Sequence, residues 1–351
     1  MKVGIVSYYD YYKYIEKNGG TRIYENWNKA WDEVFKLSKE NNIELVKYNF
    51  KDHKKYNKLI FIEIPRVSEL LKVLYANLFI KKVHTILIIN ETFLGRPRYM
   101  LKIPFLFNKV LINSEEKIKN FMRYKVDTFS YPSLPNKEAI CENKSLILNC
   151  NRKNKLVFIG SFKMALSKHG SYIYRYKLVK KLLKYSNYFE LYGYGWNKTP
   201  LPFNILGIAI IIRFKWLRKI VKSLMNLSFK PLGEFPIADS KFKTLSEYDF
   251  CLAIEPTISK FNSLCEKIFD PMLSGAIPIY FGQKLNNIPE NTYIRINKNS
   301  SAKDIIYIIE NLSEDKKIEY RKNIFNFLHS EEADQYRYSC YANILIKNIL
   351  Y

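Results

Sequence analysis

Short apolar runs alternate with longer amphipathic stretches along most of this chain, and the two repeat lengths predict different elements. Short, strand-like runs read as buried strands over Lys2–Ser7, Ile43–Tyr48, Lys58–Ile64, His84–Ile89 and Lys109–Ile112. Apolar positions three and four apart predict helices over Trp27–Asn41 and Val67–Asn77. After Tyr131-Pro132 the pattern lapses, and the polar-ended stretch Pro135–Lys155 reads as a linker. A second set then begins, with strands at Leu156–Gly160, Phe189–Tyr192, Asp249–Ile254 and Ile277–Phe281. Its helices are expected at Tyr172–Tyr185, Cys265–Ser274, Ala302–Leu312, Lys316–His329 and Gln335–Leu350. Strands alternating with helices at this spacing specify an α/β fold. Two such sets suggest two Rossmann-like domains facing a central cleft. The expected boundaries are 1–145 for the first domain and 155–330 for the second, with 331–351 a terminal helix packing back on the first.

One segment departs from the pattern. Residues 205–212 are apolar throughout, and Arg213, Lys215, Arg218, Lys219 and Lys222 follow among Phe214, Trp216, Leu217, Ile220 and Val221. The block at 203–230 therefore reads as an insertion in the second domain. It is either an interfacial helix lying on an anionic membrane or a helix packed on the domain with solvated lysines.

Composition narrows the classes. Lys and Arg number 57 against 33 Asp and Glu, a net charge of +24 that favours anionic partners. No zinc-finger spacing, aromatic RNP-like motif or basic helix-turn-helix pattern accompanies that charge, so nucleic acid is not an expected partner. The 5 cysteines are odd in number and form no CxxC pair, which argues for a reducing compartment and against a disulfide framework or zinc site. The N-terminus reads as a strand rather than a signal peptide. No run reaches the roughly 18 to 20 apolar residues that span a bilayer. A cytoplasmic protein, peripheral on the inner face of the membrane, is the expectation.

The stretch from Tyr248 to Gly282, YDFCLAIEPTISKFNSLCEKIFDPMLSGAIPIYFG, carries the most chemistry. A buried strand delivers Glu255 at its carboxyl end, where α/β folds place ligands. Glu266 and Lys267 then open a helix, whose free N–H groups and positive dipole end suit a phosphate. Lys267 adds a full charge, and a neighbouring carboxylate accepts hydrogen bonds from sugar hydroxyls. A helix-capping role for the Glu-Lys pair, and a loop-bracing role for Glu255, are the structural alternatives.

This stretch resembles the donor-binding motif of the alpha-1,3/1,4-fucosyltransferases, glycosyltransferase family 10, typically FCLAFENS…YVTEKIFDALLAGTIPIYWG. The shared residues include Phe250, Cys251, Leu252, Ala253, Glu255, Glu266 to Asp270, Leu273, Gly275, Ile277 to Tyr280 and Gly282. Arg175 in its helix and the turn Tyr192-Gly193-Tyr194-Gly195-Trp196 resemble two further family segments. Ile89-Asn90-Glu91-Thr92 is similar to the segment that supplies a carboxylate toward the acceptor. The resemblance implies the GT-B arrangement, a GDP-fucose donor and inversion at the anomeric carbon. A glycan or lipid-linked glycan acceptor in surface polysaccharide or lipopolysaccharide synthesis, joined by an alpha-1,3-type linkage, completes the expectation.

Three positions depart from the family pattern: Pro256 stands for its Asn, Ser263 for its aromatic, and Cys265 for its Thr. A related nucleotide-sugar, or a non-catalytic polyanion-binding protein on the same fold, are the alternatives these departures leave open. The sequence has no Asp-x-Asp metal motif, so no metal or other cofactor is expected and cations must offset the leaving charge. The resemblance assigns that task to Arg175 and Lys267, nucleotide orientation to Glu266, and the general base to Glu91. His169, the Gly19-Gly20 loop and Tyr8-Tyr9-Asp10 are lesser candidates near the same ligands.

Overall fold

The computed structural model describes residues 1–7, 25–63, 65, 67–90, 107–114, 125–165, 170–202, 214–258 and 264–351. The chain divides into two compact units. Met1–Asn136, Lys260–Glu266 and Ala333–Tyr351 form the first, and Lys137–Ser259 with Lys267–Glu332 form the second.

The first unit is a parallel sheet in the order β2-β1-β3-β4-β5-β6. Its strands are β1 (Lys2–Ser7), β2 (Glu44–Lys47), β3 (Lys58–Ile62), β4 (His84–Ile89), β5 (Lys109–Asn113) and β6 (Lys125–Phe129). Successive side chains alternate between faces, so each strand contributes to two cores. Ile5, Ile60, Ile62, Ile86, Ile88 and Leu111 pack against Trp31 and Val34 of α1 (Glu25–Glu40). Val6, Leu59, Phe61, Leu87, Ile89 and Val110 pack on the other face against Leu70 and Val73 of α2 (Val67–Phe79).

The second unit is a parallel sheet in the order β11-β10-β9-β7-β8. It contains β7 (Lys153–Ile159), β8 (Phe189–Tyr192), β9 (Tyr248–Ile254), β10 (Ile277–Phe281) and the two-residue edge β11 (Ile294–Arg295). Leu156, Phe158, Phe250, Leu252, Ile254, Ile277, Ile279 and Phe281 share one face. They pack against Tyr176, Val179 and Leu182, which lie within the Tyr172–Leu182 helix, and against Ile305 and Ile309 of the Ala302–Asn311 helix. Two parallel-sheet α/β units are the make-up of a GT-B fold.

Four local readings are corrected by the structure. The expected linker over Pro135–Lys155 is instead α3 (Lys137–Glu142), α4 (Lys144–Leu148) and the start of β7. Each short helix buries one isoleucine, Ile140 or Ile147, too sparse a signal to show as a periodicity. Arg152 fixes the turn after them, donating to the carbonyls of Asn149 (2.9 Å) and Ser246 (2.7 Å). Burial, with Arg321 close by, lowers its pKa to about 10. Strand β6 and edge strand β11 were absent from the sequence reading, because a β-edge of two to five residues pairs on one side and carries little apolar pattern.

The helices of the second unit, in chain order, are α5 (Tyr172–Leu182), α6 (Lys215–Ser228), α7 (Lys241–Leu245), α8 (Glu266–Ser274), α9 (Ala302–Asn311) and α10 (Glu314–His329). The last helix, α11 (Tyr338–Leu350), starts three residues later than its periodicity predicts, after a 3-10 turn at Asp334–Tyr336. It belongs to the first unit, where Tyr341, Leu345 and Ile349 join the core beside α1. A buried ionic cluster braces the second unit. Asp249 of β9 accepts from Lys317 (3.0 Å) and pairs with Arg321, both on α10. Lys317 also reaches Asn154 at 2.8 Å, and Arg321 donates to the carbonyl of Gly275 at 3.2 Å. Charges this deeply buried persist because every one of them has a partner.

Candidate active site

In the second sheet the chain runs from β7 outward to β8 and then returns to β9 on the other side of β7. The strand order therefore reverses between β7 and β9, and open parallel sheets bind ligands beyond the carboxyl ends of such strands. The residue after β7 is Gly160. Its carbonyl accepts from Trp196 Nε1 at 2.8 Å, and its N–H donates to Tyr192 at 2.9 Å. Gly193 has φ +140, and a Cβ there would lie 2.7 Å from the Gly160 carbonyl carbon. This close backbone approach explains the first glycine in Tyr192-Gly193-Tyr194-Gly195-Trp196.

Arg175 lies one turn into α5. Its side chain is buried, despite the basic residues around it in the sequence. Its guanidinium stacks 4.6 Å from the centre of the Tyr172 ring and 6.0 Å from that of Phe158, and Nη2 approaches the Ser161 carbonyl at 3.5 Å. Cation–π stacking fixes the orientation of a charge that basic neighbours alone would leave mobile. The arrangement puts a buried cation beside the end of β7.

Glu255 follows β9 and is buried, with its N–H donating to Phe281 of β10 at 2.9 Å. Pro256, the departure from the motif, accepts from the N–H of Ser171, the N-cap of α5, at 3.0 Å. Gly170 and Thr257 form an isolated antiparallel bridge alongside. The Glu255 loop is thus bonded to the start of the Arg175 helix. On the other flank, a Cβ at Gly282 would collide with Tyr280 Cζ and lie 2.9 Å from Glu255 Cγ, so a larger residue would meet both this ring and this carboxylate. Tyr174 stacks on Phe281 with centroids 4.0 Å apart, and burial pushes its hydroxyl pKa up to about 12.

Two polar side chains at this edge escaped the sequence reading. Gln283, just after β10, is buried with neither amide atom hydrogen-bonded, and Ser171 Oγ is likewise buried without a partner. Native proteins leave few buried polar groups unpaired, and each one calls for a reason. No pattern in the sequence marks either residue.

Helix α8 begins at Glu266 and Lys267, both half-buried in the first turn. Its far end is fixed by Gly275, with φ +75, where a Cβ would lie 2.6 Å from the Ile147 carbonyl. Its middle is fixed by buried Asp270, paired with Lys241 of α7. Burial pushes the Cys251 thiol up to about 12, against the pull of Lys241 and Lys267, so the Lys267 ammonium lies within electrostatic reach of β9.

In the first unit, Glu63 and Asn113 converge on Asn90, the residue before Glu91. Glu63 has φ +60, which L side chains rarely adopt, and its buried carboxylate accepts from the Asn90 N–H at 2.8 Å. Asn113 Nδ2 donates both to the Asn90 carbonyl (3.1 Å) and to the Leu264 carbonyl (3.0 Å), two residues before Glu266. Glu91 itself, Tyr8, Tyr9, Asp10, Gly19, Gly20, His169 and Ser263 lie outside the described residues.

Residues 229–338 match the family model described as glycosyltransferase family 10 (fucosyltransferase), C-terminal. The chain is a glycosyltransferase whose residues 229–338 match that family's C-terminal model. The matched segment contains Glu255, Glu266, Lys267 and Gly282, whereas Arg175 and Gly193 precede it. No curated protein sequence matches the chain. Among solved structures, an alpha1,3-fucosyltransferase is 14% identical with a TM-score of 0.50, over 100% of this chain and 90% of that one. An alpha-glucosyltransferase in complex with UDP is 11% identical with a TM-score of 0.57, over 100% and 99%. The Anabaena protein HepE in complex with UDP-glucose is 9% identical with a TM-score of 0.52, over 100% and 99%. At these identities the structural likeness speaks for the fold alone.

Proposed function

We propose that the chain transfers fucose from GDP-fucose to a hydroxyl of a glycan acceptor, with inversion at the anomeric carbon. The observation that carries this reading is the family 10 match across β9, α8 and β10, the elements that present Glu255, Glu266 and Lys267. In this account the acceptor hydroxyl attacks the anomeric carbon as the bond to the β-phosphate oxygen breaks. Glu91 takes the hydroxyl proton, and the nucleoside diphosphate leaves with the bonding electrons. Lys267 and Arg175 offset the charge developing on the diphosphate. Glu266 orients the nucleotide, and Glu255 accepts hydrogen bonds from sugar hydroxyls.

A panel of nucleotide-sugars, read by release of the nucleoside diphosphate in the presence and absence of fucose-acceptor oligosaccharides, tests this reading. GDP-fucose is expected to be the turned-over donor. Turnover of UDP-glucose in its place keeps the transferase and replaces the sugar, an outcome that Pro256 and Ser263 make worth including.

The acceptor in this reading is a lipid-linked glycan of surface polysaccharide synthesis, reached by peripheral contact with an anionic membrane. Support comes from α6. Val221, Met225 and Phe229 fix it to the core of the second unit, while Trp216, Ile220, Leu224 and Leu227 are exposed along one stripe. Lys215, Arg218, Lys219 and Lys222 lie on the same helix, and residues 191–233 contain no Asp or Glu. An apolar stripe with a basic rim suits anionic headgroups over an acyl boundary. No described helix is long and apolar enough to cross a membrane.

A further inference from the structure

Helix α2 of the first unit has two apolar faces, and a single one is used. Leu70, Val73 and Ala76 are buried against the sheet, as an amphipathic helix requires. Leu71, Tyr75, Leu78 and Phe79, at the helical spacing of one stripe, are 55% to 74% exposed. Phe50, on the neighbouring 3-10 turn Phe50–Lys55, extends the stripe. Its ring lies 6.4 Å from that of Tyr75, which lies 5.0 Å from Phe79. A contiguous aromatic and aliphatic patch of this kind marks an interaction surface rather than scattered surface apolars.

The rim of the patch identifies what it meets. Lys51, Lys54 and Lys55 stand exposed on the 3-10 turn, and Lys81 and Lys82 follow the helix. Lys81 Nζ is drawn onto the turn, donating to the carbonyls of Lys54 (3.1 Å) and Tyr56 (3.0 Å), so the two lysine groups lie together. The carboxylates of these two segments, Asp52 and Glu69, are each taken by a lysine, Lys55 at 2.6 Å and Lys72 at 2.9 Å. A second copy seated on this face by two-fold symmetry would bring lysine against lysine. An anionic lipid surface instead accepts the aromatics at its interface and the ammonium groups among its headgroups.

We propose that the α2 face is a second lipid-contact surface, carried by the first unit, which binds anionic bilayers. The inference rests on the membrane-contact reading of α6 and adds to it a surface on the unit that carries Glu91. Both faces are exposed, so substitution on either leaves the cores intact.

Co-sedimentation tests it, using the full chain with phosphatidylcholine vesicles that contain or lack phosphatidylglycerol. The wild type is expected to sediment with the anionic vesicles. Leu78→Gln/Phe79→Gln and Trp216→Gln/Leu227→Gln are each expected to lower the bound fraction about tenfold, with nucleotide binding unchanged in both. Normal vesicle binding by Leu78→Gln/Phe79→Gln, with loss in the α6 variant, overturns this inference and spares the α6 reading. A wild type that ignores anionic vesicles overturns both. A shift from dimer to monomer in Leu78→Gln/Phe79→Gln, with vesicle binding intact, assigns the face to a second copy instead and likewise overturns the inference.

Discussion

The side-chain amide of Asn113 donates to the carbonyl of Leu264, 151 residues away in sequence, at 3.0 Å. Its other hydrogen goes to the carbonyl of Asn90. One buried side chain thereby fixes the backbone just before Glu91 and the backbone just before Glu266. Asn113→Leu, close in volume, leaves both carbonyls without a donor and is expected to destabilise the protein by about 1–3 kcal/mol. Hydrogen exchange is expected to rise selectively at residue 90 and at residues 264–267. Turnover is expected to fall more than nucleotide affinity, since a positioning residue acts through the groups it holds.

Arg175 and Lys267 divide one electrostatic task in the proposed mechanism, and their surroundings make different predictions. Lys267 is half-buried at a helix start, so Lys267→Ala is expected to lower turnover by about 100-fold or more with little change in melting temperature. Arg175 is buried between aromatic rings, so Arg175→Ala is expected to lose turnover and also about 1–3 kcal/mol of stability. Paired turnover and thermal-melt measurements separate the two.

The terminal helix is predicted to be indispensable to the first unit. Leu345 is fully buried in the core beside α1, and Leu345→Ala is expected to cost about 2–5 kcal/mol. Deleting residues 338–351 would also remove Tyr341 and Ile349, a loss comparable with the whole stability of a typical domain. Soluble yield and denaturant melts report both.

Thiol chemistry reads the second sheet directly. Burial raises the Cys251 thiol to about 12, whereas Cys141 and Cys150 are exposed. At pH 8 the thiolate fraction of Cys251 is about 1 in 10,000. Iodoacetamide is expected to modify Cys141 and Cys150 first, with Cys251 protected until denaturant is added, as mass spectrometry of the peptides would show. The same shift carries a pH dependence. A folded pKa above the unfolded value of 9.0 contributes stability that is intact below pH 9 and is lost as pH climbs toward 12. Melting temperature is therefore expected to fall through that alkaline window.

The parts of the fold that were legible in the sequence are those with dense local signals. Phe189–Tyr192 and Ile277–Phe281 read as strands at their observed bounds, because both are short, largely apolar segments closed by glycine. Glu255 at a strand end and Glu266-Lys267 at a helix start followed from the same pattern. The short helices at Lys137–Leu148 were missed because each buries a single isoleucine, which no periodicity reveals. The burial of Arg175 was hidden by its basic neighbours, and it comes from two aromatic rings, one of them on β7. Gln283 and the left-handed backbone at Glu63 carry no local signal, because tertiary packing alone defines them.

The most direct test of the central claim is calorimetric titration of GDP and GDP-fucose into the wild-type chain and into Lys267→Ala. The account predicts micromolar binding of both to the wild type, weakened about tenfold or more by loss of the Lys267 charge. Absence of guanine-nucleotide binding to the wild type, or equal affinity in Lys267→Ala, would contradict it.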